Sequence, residues 1–343
     1  MAVYTHLDDN ALVALWSVYD DEAPLVRAEG IPHGSINTTY RLTTEAGVFY
    51  LRINENKSTD DVMYERDLLD VLARARPRLD GVVTPVIRKT RVGGSFFLVE
   101  RRPAVATGAP VWAAMFPELP GRDLGVFEVT PAHTAQIGRF LARAHGALRG
   151  FRGRRPNPFG LPTVRRWLVD IARVPALHDV AARLSDALDR VEDRRRLLPH
   201  GVVHGDLFVD NTKWHHGDLR AVFDWEMAGR DHLALDVAVC LHAWCWSRDA
   251  NGGGAFDSAR ARGLVAGYQA VRPFRPSERR GFFVEAQLAA IRFTASRVRD
   301  FEVPRPTSQP AERTYLDYRD FLARLDALSS MTEKGFHSMV GLT

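Results

Sequence analysis

The spacing of apolar residues changes near residue 120, and this change limits the possible folds more than any other feature of the sequence. Before it, short runs rich in β-branched and aromatic residues are separated by turns, which predicts β-strands. After it, apolar residues recur at helical spacing. A strand-rich part followed by a helical part favours an α+β protein. The predicted boundary separates residues 1–116 from residues 117–343.

The N-terminal part is predicted to hold a small antiparallel sheet. Turns at Glu45 to Gly47 and at Gly93-Gly94 separate consecutive apolar runs, as in hairpins. Two stretches have helical spacing, and Ser58 with Asp61 can cap the second. The predicted strands span residues 39–43, 48–53, 82–92, 96–100 and 111–116, and the predicted helices span residues 7–19 and 59–76.

The C-terminal part is predicted to be mainly helical. Thr130 is a candidate N-cap, and Pro131 suits the first helical position because an N–H there has no intrahelical partner. The last residues, 334–343, are predicted to form a frayed tail. Further helices are predicted near residues 164–173, 179–196, 236–246, 257–271, 277–303 and 311–328.

Composition excludes several classes of protein. The 343 residues are 45% apolar and 26% charged, which favours a folded chain with a sizeable core. The 46 basic and 42 acidic residues nearly balance, so neither a nucleic-acid partner nor a particular protein partner is indicated. No signal peptide or membrane span is expected. Cys240 and Cys245 lack metal-binding spacing and are expected to be reduced thiols of a cytoplasmic protein.

The segment from Gly201 to Cys245 carries the most chemistry. It contains His204-x-Asp206-x4-Asn211, then a polar turn, then an apolar run that ends at Asp224. Phosphoryl transfer needs one carboxylate that accepts the nucleophile's proton and oxygen ligands for Mg²⁺. The spacing matches the catalytic-loop pattern of kinases, which is followed by a separate metal-binding aspartate. Asp206 is therefore the candidate base, and Asn211 and Asp224 are the candidate Mg²⁺ ligands.

Simpler interpretations of these residues stay open. Asp206 and Asn211 could merely cap turns, as aspartate and asparagine often do. The apolar runs before Asp206 and Asp224 make that less attractive as a full explanation. Asp210 fits a structural turn residue better than a ligand, and His204 fits a residue that orients the loop better than a proton carrier.

The N-terminal part contains candidate nucleotide-binding residues. The turn-rich stretch from Gly30 to Tyr40 could cover phosphates with its backbone amides, with Gly34, Ser35 and Asn37 at its tip, although a plain surface turn fits equally well. Arg52 on the strand over residues 48–53 could meet the α- and β-phosphates, and Glu65 on the next helix could hold it. A surface arginine and a solvated helical glutamate are the alternatives.

These motifs resemble the aminoglycoside phosphotransferase-like kinases, which phosphorylate small molecules. The sequences H-G-D-L-F-V-D-N and F-D-W-E carry the resemblance, and within that family the chain is most similar to the type II homoserine kinase branch. The similarity extends from Met1 to about Leu328. The stretches typical of that branch are M-A-V-Y-T at the start, D-V-A-V-C-L-H-A-W-C-W from Asp236, G-Y-Q-A-V-R-P from Gly267, I-R-F-T-A-S-R-V-R-D from Ile291, and V-P-R-P from Val303.

The resemblance implies a protein-kinase-like bilobal fold, with a small antiparallel β-sheet N-lobe and a mainly helical C-lobe. ATP and Mg²⁺ would bind in the cleft between the lobes. Asp206 would be the catalytic base, and Asn211 and Asp224 the metal ligands. Backbone groups between Met115 and Leu119 would meet adenine. Asp236 would brace the catalytic loop.

The same resemblance suggests residues for a homoserine acceptor. Arg292 and Arg297 are candidates for its carboxylate, because arginine binds carboxylates through two parallel hydrogen bonds. Glu226 is the candidate for its ammonium group. His242 and Trp244 would face the acceptor pocket. Core or helix-packing roles are the alternatives for both arginines and for Trp244.

Three features depart from the family pattern. His242 replaces an asparagine, residues 308–312 lack a basic segment, and Arg52 replaces the lysine common in the wider group. Arginine keeps the charge but changes the geometry of phosphate binding. Three hypotheses follow: a kinase for homoserine, a kinase for a choline-like, sugar or aminoglycoside acceptor, and a nucleotide-binding pseudokinase.

Overall fold

The structure is a computed structural model of the chain. Its residues separate into two compact units. In the described chain, the first unit comprises residues 5–73 and 85–119, and the second comprises residues 74–84, 120–303 and 316–342. The described residues are 5–19, 23–31, 37–55, 57–99, 110–248, 253–303 and 316–342.

A five-stranded antiparallel sheet forms the centre of the first unit, in the order β1-β2-β3-β5-β4. Four of the predicted strands are confirmed, while β1 was not indicated by the sequence pattern. The strands are β1 (Leu25–Gly30), β2 (Thr38–Thr44), β3 (Gly47–Ile53), β4 (Phe97–Val99) and β5 (Val111–Pro117).

The prediction of a strand over residues 82–92 is wrong. The segment forms one isolated bridge at Val83, and the N–H of Arg88 donates to the carbonyl of Met115 at 2.8 Å. Pro85 has no N–H to give to a sheet. Val86 and Val92 are 46% and 94% exposed, so the alternating burial of a strand does not develop.

Two helices pack on the first unit's sheet or beside it, and both were predicted to within two residues at each end. The helix α1 (Asp9–Ser17) begins after Asp8, whose carboxylate accepts from the N–H of Ala11. Its Trp16 ring lies 5.0 Å from the ring of Phe49 on β3. The helix α2 (Thr59–Arg74) buries one apolar face together with Glu65. That carboxylate is therefore held inside the unit.

The second unit is mainly helical, as predicted. Thr130 caps α3 and Pro131 is its first residue, which confirms that start. The helix α8 ends at Arg297 rather than near Val303, because a π-helical turn over Val298–Glu302 follows it. The helices are α3 (Pro131–Ala147), α4 (Leu161–Ala172), α5 (His178–Arg194), α6 (Leu233–Cys245), α7 (Ser258–Gln269), α8 (Pro276–Arg297), α9 (Arg319–Ser329) and α10 (Glu333–Val340).

The prediction of a frayed tail over residues 334–343 is wrong for the residues described there. Thr332 caps α10, and Gly341 ends it with a φ of 73°. Phe336 and Val340 are fully buried, four residues apart on one face of the helix. The apolar spacing was present in the sequence, but the segment is too short for the pattern to stand out.

Three short antiparallel strand pairs interrupt the helices of the second unit. They are β6 (His200–Val203) with β9 (Gly229–His232), β7 (Thr212–His215) with β8 (Asp218–Val222), and β10 (Trp246–Arg248) with β11 (Gly254–Phe256). The pair β7–β8 is a hairpin, and its turn is the polar turn that the sequence places between Asn211 and Asp224.

Glycines let α3 and α7 approach closely. A Cβ at Gly138 would lie 2.1 Å from the carbonyl oxygen of Leu264, and one at Gly267 would lie 2.1 Å from that of Ala135. Larger residues are therefore excluded from this contact. Among the described residues, no helix is long and apolar enough to cross a membrane.

Candidate active site

The loop between β6 and β7 is anchored by one buried carboxylate. Asp236, in the first turn of α6, accepts from the N–H of His204 at 2.7 Å and from the N–H of Gly205 at 2.8 Å. Gly205 has a φ of 78°, which favours glycine at this sharp turn. The apolar Val202 and Val203 fix the preceding strand in the core. The candidate base, Asp206, follows directly.

Two further residues hold Asp236. The His145 ring on α3 lies 3.0 Å from its Oδ2 through Nε2, and 2.8 Å from the Tyr268 hydroxyl through Nδ1. Burial by itself raises the pKa of Asp236, but the hydrogen bonds from His145 and the loop amides bring that pKa below its ordinary value. Asp236 therefore stays ionised. Sequence reasoning missed His145 and Tyr268, because partners so distant in sequence leave no local pattern.

His204 makes the contacts of a loop-orienting residue. It is fully buried; its Nε2 donates to the carbonyl of Phe223 at 3.0 Å, and its Nδ1 accepts from the N–H of Asp206 at 3.3 Å. Burial lowers the pKa of its imidazole, so the ring is neutral and can hold both contacts at once. The ring thus ties the loop before β7 to the loop after β8.

Asp206 presents a carboxylate that no described residue binds. Its backbone carbonyl accepts from the side-chain amide of Asn211 at 2.8 Å and from the N–H of Phe208 at 2.9 Å. Burial raises the pKa of the carboxyl to about 6, opposed by the positive charge of Arg292 and assisted by the charges of Asp210 and Glu226. The group is partly exposed. The carboxyl group is therefore open to a ligand.

The β7–β8 hairpin brings Asn211 and Asp224 together. Thr212 pairs with Val222, so the residues before and after the pair meet at the open end of the hairpin. The N–H of Phe223 donates to the carbonyl of Asn211 at 3.0 Å. Asp224 follows with a φ of 63°, a left-handed conformation that non-glycine residues adopt rarely and often at functional sites. The three sequence-predicted acidic and amide residues thus share one loop cluster.

Glu226 lies just beyond Asp224 and is buried. Its backbone carbonyl accepts from Arg155 Nη2 at 2.6 Å, so this turn is fastened to the segment before α4. Sequence reasoning did not single out Arg155. The Glu226 carboxylate is close enough to raise the pKa of Asp206.

Arg292 and Arg297, equivalent in the sequence-based prediction, have different surroundings. Arg292 is 1% exposed, and its Nε, Nη1 and Nη2 have no hydrogen-bond partner. Arg297 donates to the carbonyl of Asp317 at 2.8 Å and lies 3.5 Å from the Asp320 carboxylate. The structure thus separates an arginine with no hydrogen bond from one that binds its own chain.

His242 and Trp244 contact the protein itself. His242 Nε2 donates to the carbonyl of Ala286 at 2.8 Å, and burial lowers the pKa of the ring to about 3. Trp244 donates to the carbonyl of Leu207 at 2.9 Å. Both side chains are almost fully buried. Trp244 therefore supports the loop that carries Asp206, while contact of either residue with an acceptor stays a prediction.

The first unit contains the predicted pair of arginine and glutamate. Arg52 Nη2 lies 2.7 Å from Glu65 Oε2, and the guanidinium lies 4.9 Å from the centre of the Phe116 ring. Lys57, which sequence reasoning missed, lies 3.9 Å from the same oxygen. Two cations therefore share one buried carboxylate.

The remaining predicted nucleotide-binding residues lie near the ends of strands. Asn37 directly precedes β2, while Gly34 and Ser35 lie outside the described residues. Met115 is buried within β5 and its carbonyl accepts from Arg88. In the described segment 117–120, Pro117 and Pro120 have no N–H, and the N–H of Glu118 donates to the carbonyl of Val48. The N–H of Leu119 is therefore the backbone donor of this segment that could meet adenine.

Comparison with known proteins now identifies the group. Residues 27–274 match the sequence model of the phosphotransferase enzyme family. Curated homoserine kinases resemble most of the chain. That of Phenylobacterium zucineum is 34% identical, over 94% of this chain and 95% of the relative. That of Gluconacetobacter diazotrophicus is also 34% identical, over 95% and 96%.

Solved structures show the same fold. An amicoumacin kinase in complex with AMP-PNP and Ca²⁺ superposes with a TM-score of 0.68 at 15% identity, over 97% of this chain and 93% of that one. Choline kinase from Cryptosporidium parvum gives 0.63 at 12% identity, over 98% of each. The predicted α+β, protein-kinase-like fold is confirmed. The chain therefore belongs to the phosphotransferase enzyme family and is an ATP-dependent kinase.

Proposed function

We propose that this kinase transfers the γ-phosphoryl group of ATP to the hydroxyl of a small amino alcohol, with L-homoserine as its acceptor. The observation that carries the chemistry is the Asp206 carboxylate, which is free of protein hydrogen bonds in the described structure and follows an anchored turn. The choice of homoserine rests on the curated relatives, whose similarity covers nearly the whole chain.

Asp206 would accept the proton of the acceptor hydroxyl. As that proton moves to the carboxylate, the hydroxyl oxygen forms a bond to the γ-phosphorus and the bond from phosphorus to the bridging oxygen breaks, which releases ADP. A pKa of about 6 leaves Asp206 ionised at neutral pH yet basic enough to hold the proton. Positioning is then the main contribution of the loop.

Asn211 and Asp224 would hold Mg²⁺. An amide oxygen and a carboxylate are the hard oxygen donors that Mg²⁺ prefers, and this ion usually takes its other ligands from phosphates and water. Within the described residues, no group of three or more His, Cys, Asp or Glu could hold a metal ion, so these residues offer no complete cage. When bound, Mg²⁺ would neutralise charge on the phosphates.

The nucleotide would use residues of the first unit. Arg52, held by Glu65, would meet the phosphates, with Lys57 as a second cation beside the same carboxylate. The N–H of Leu119 and backbone atoms near Met115 would meet adenine. Gly34, Ser35 and Asn37 would cover the phosphates.

The acceptor would meet charged residues of the second unit. Glu226 would receive its ammonium group, and one of the two predicted arginines, Arg292 or Arg297, its carboxylate. His242 and Trp244 are kept as predicted pocket residues. The partner is thus a small molecule. The chain's two cysteines are buried and free, as expected for a reducing compartment, and we place the enzyme in the cytoplasm.

An acceptor panel tests the proposal. ADP release would be measured with L-homoserine, choline, a hexose and an aminoglycoside, and the phosphorylated product would be identified by mass spectrometry. We expect L-homoserine to give the largest kcat/KM. A higher value for another acceptor would replace homoserine, and tight nucleotide binding with no turnover on any acceptor would favour a pseudokinase.

A further inference from the structure

Arg292 is an arginine whose whole guanidinium lacks a hydrogen-bond partner inside the protein. It lies on α8, is 1% exposed, and all three of its side-chain nitrogens are without a partner. No other arginine of the described chain has more than one buried nitrogen without a hydrogen-bond partner. Buried polar groups are nearly always hydrogen-bonded, and an exception calls for an explanation such as a missing ligand.

The guanidinium is held in place by aromatic rings rather than by hydrogen bonds. It lies 5.0 Å from the centre of the Phe159 ring and 4.5 Å from that of Phe293. The ring of Phe293 packs against the ring of Phe208, with 5.1 Å between the ring centres, and Phe208 lies two residues after the candidate base. Cation–π contacts position the charge while leaving its N–H groups unused. The group is therefore positioned beside the loop that carries Asp206, and its N–H groups form no hydrogen bond with the protein.

The carboxylates near Arg292 do not satisfy it. Asp206, Asp236 and Asp231 act on its charge, but burial outweighs them and lowers the pKa of the guanidinium. Asp236 is bonded to the catalytic loop and to His145, and Asp231 to Arg195. Asp206 remains, and it is the group proposed to meet the acceptor hydroxyl. None of these carboxylates accepts a hydrogen bond from the guanidinium.

We infer that Arg292 binds the carboxylate of the acceptor and so selects a hydroxy amino acid over an amino alcohol without a carboxylate. This inference rests on the proposed function, because it places the acceptor hydroxyl at Asp206. The planar guanidinium matches a carboxylate with two parallel hydrogen bonds. Arg297 does not fit this role, since its guanidinium is bonded to Asp317 and faces Asp320.

Two acceptors that differ in one group test the inference. L-homoserine and 3-aminopropan-1-ol share the hydroxyl, the chain length and the ammonium group, and only the first has a carboxylate. The ratio of their kcat/KM values is measured on each enzyme preparation, so the fraction of folded enzyme cancels. We expect the wild type to favour homoserine by roughly 10²-fold or more, because 3-aminopropan-1-ol cannot accept the charged hydrogen bonds that the carboxylate accepts.

Three variants separate the roles of the charges. Arg292→Met should remove most of the preference for homoserine. It also removes a positive charge that lowers the pKa of Asp206, so kcat/KM should fall for both acceptors, but much further for homoserine. Arg292→Lys keeps the charge without the planar fork and should retain part of the preference. Arg297→Met, the matched change on the same helix, should leave the ratio within about threefold. An equal loss for both acceptors in Arg292→Met, or a collapse of the ratio in Arg297→Met alone, would overturn the inference.

Calorimetric binding separates this inference from the phosphotransfer proposal. L-homoserine is titrated into wild type and Arg292→Lys, which retains the buried charge, with AMP-PNP present. We expect the wild type to bind and the variant to bind at least tenfold more weakly. Equal binding would overturn the role of Arg292 even if turnover on homoserine is found. Binding that depends on Arg292 would support it even if no acceptor is phosphorylated.

Discussion

Two groups of buried and partly buried charges in the second unit differ in how many of their hydrogen bonds the protein supplies. In the first, Arg195 lies 2.7 Å from Asp231 and 2.9 Å from Glu285, and His232 and Asn157 bind the same carboxylates. In the second, Asp206 and Arg292 act on each other's charge without a hydrogen bond between them. The first group is complete within the protein, and the second is not.

The pKa values of Arg195 and Arg292 reflect this difference in hydrogen bonding. Arg292 is buried and Arg195 is partly buried, and desolvation by itself lowers the pKa of each. Bonds from Glu285 and Asp231 more than compensate in Arg195, whose pKa is raised above its ordinary value, whereas the pKa of Arg292 stays lowered. A charge that stabilises the fold is thus bonded to its own chain. A buried charge without such a bond carries a cost in stability, and we infer that Arg292 is left in this state because it binds a ligand.

Asp206→Asn should have the largest effect on activity. The amide keeps the shape of the side chain but cannot accept the hydroxyl proton, so we expect kcat to fall roughly 10²–10⁴-fold. Nucleotide affinity, measured by calorimetry, should change by less than about threefold. Turnover within tenfold of the wild type would remove Asp206 from the role of base.

Arg195→Met should have the largest effect on stability. It leaves Asp231 and Glu285 buried beside a side chain without charge, and breaking such a pair usually costs about 3–5 kcal/mol of unfolding free energy. Urea unfolding measures this, and kcat at low temperature should stay within about threefold. The control is Arg165→Met, because Arg165 pairs with Asp189 at the surface, where such pairs contribute about 0–1 kcal/mol. Equal losses in both variants would contradict the comparison.

Asp236 has features of both groups of charges. Its carboxylate is hydrogen-bonded within the protein, and two of its partners are amides of the loop that carries Asp206. In Asp236→Asn, the amide cannot serve His145 and both loop amides as the carboxylate does, so we expect a loss of about 2–3 kcal/mol in stability. The loop would also lose its fixed position, and kcat should fall about 10–100-fold.

Tyr268→Phe is the milder control for this anchor. It removes one hydroxyl that contacts His145 and leaves the Asp236 carboxylate intact. We expect a loss of about 1 kcal/mol and a small change in kcat. A larger fall in kcat than that caused by Asp236→Asn would show that the anchor depends on the hydroxyl rather than on the carboxylate.

Local patterns in the sequence were enough to bring the candidate residues Asp206, Asn211 and Asp224 into neighbouring loops. The spacing from His204 to Asn211 and the hairpin before Asp224 are short-range, so their meeting follows from local chain geometry, and the helices and four of the predicted strands follow from periodicity. The strand predicted over residues 82–92 fails because Pro85 cannot pair. The tail over residues 334–343 fails because a short helix with few apolar residues resembles a loop.

Contacts between distant segments could not be predicted in this way. His145 meets Tyr268, 123 positions away, through glycines that let α3 and α7 approach. Arg292 and Arg297 lie on the same helix and look alike in sequence. Only the folded chain shows that Arg297 is bonded near α9 and that Arg292 is not. Which charge is satisfied is a property of tertiary structure, and so is the difference between the two groups.

The two groups should respond to pH with opposite sign. Asp231 has a pKa below its ordinary value of 3.8, because bonds from Arg195 outweigh burial, so its contribution to stability is present above pH 3.8 and is lost as the pH falls through its lower folded value. Asp206 has a folded pKa of about 6, above its ordinary 3.8. The folded state therefore binds its proton more tightly, and stability falls as the pH rises from about 4 to 6.

Activity and stability should therefore change in opposite directions over that interval. As the pH falls below 6, kcat/KM should drop up to tenfold per unit, because the protonated Asp206 cannot accept the hydroxyl proton. Asp206→Asn should be about 1–3 kcal/mol more stable than the wild type at pH 7, and this gain should vanish near pH 4. Urea unfolding at both pH values measures the gain. A gain of the same size at pH 4 would show that ionisation of the carboxylate is not its source and would contradict the raised pKa of Asp206.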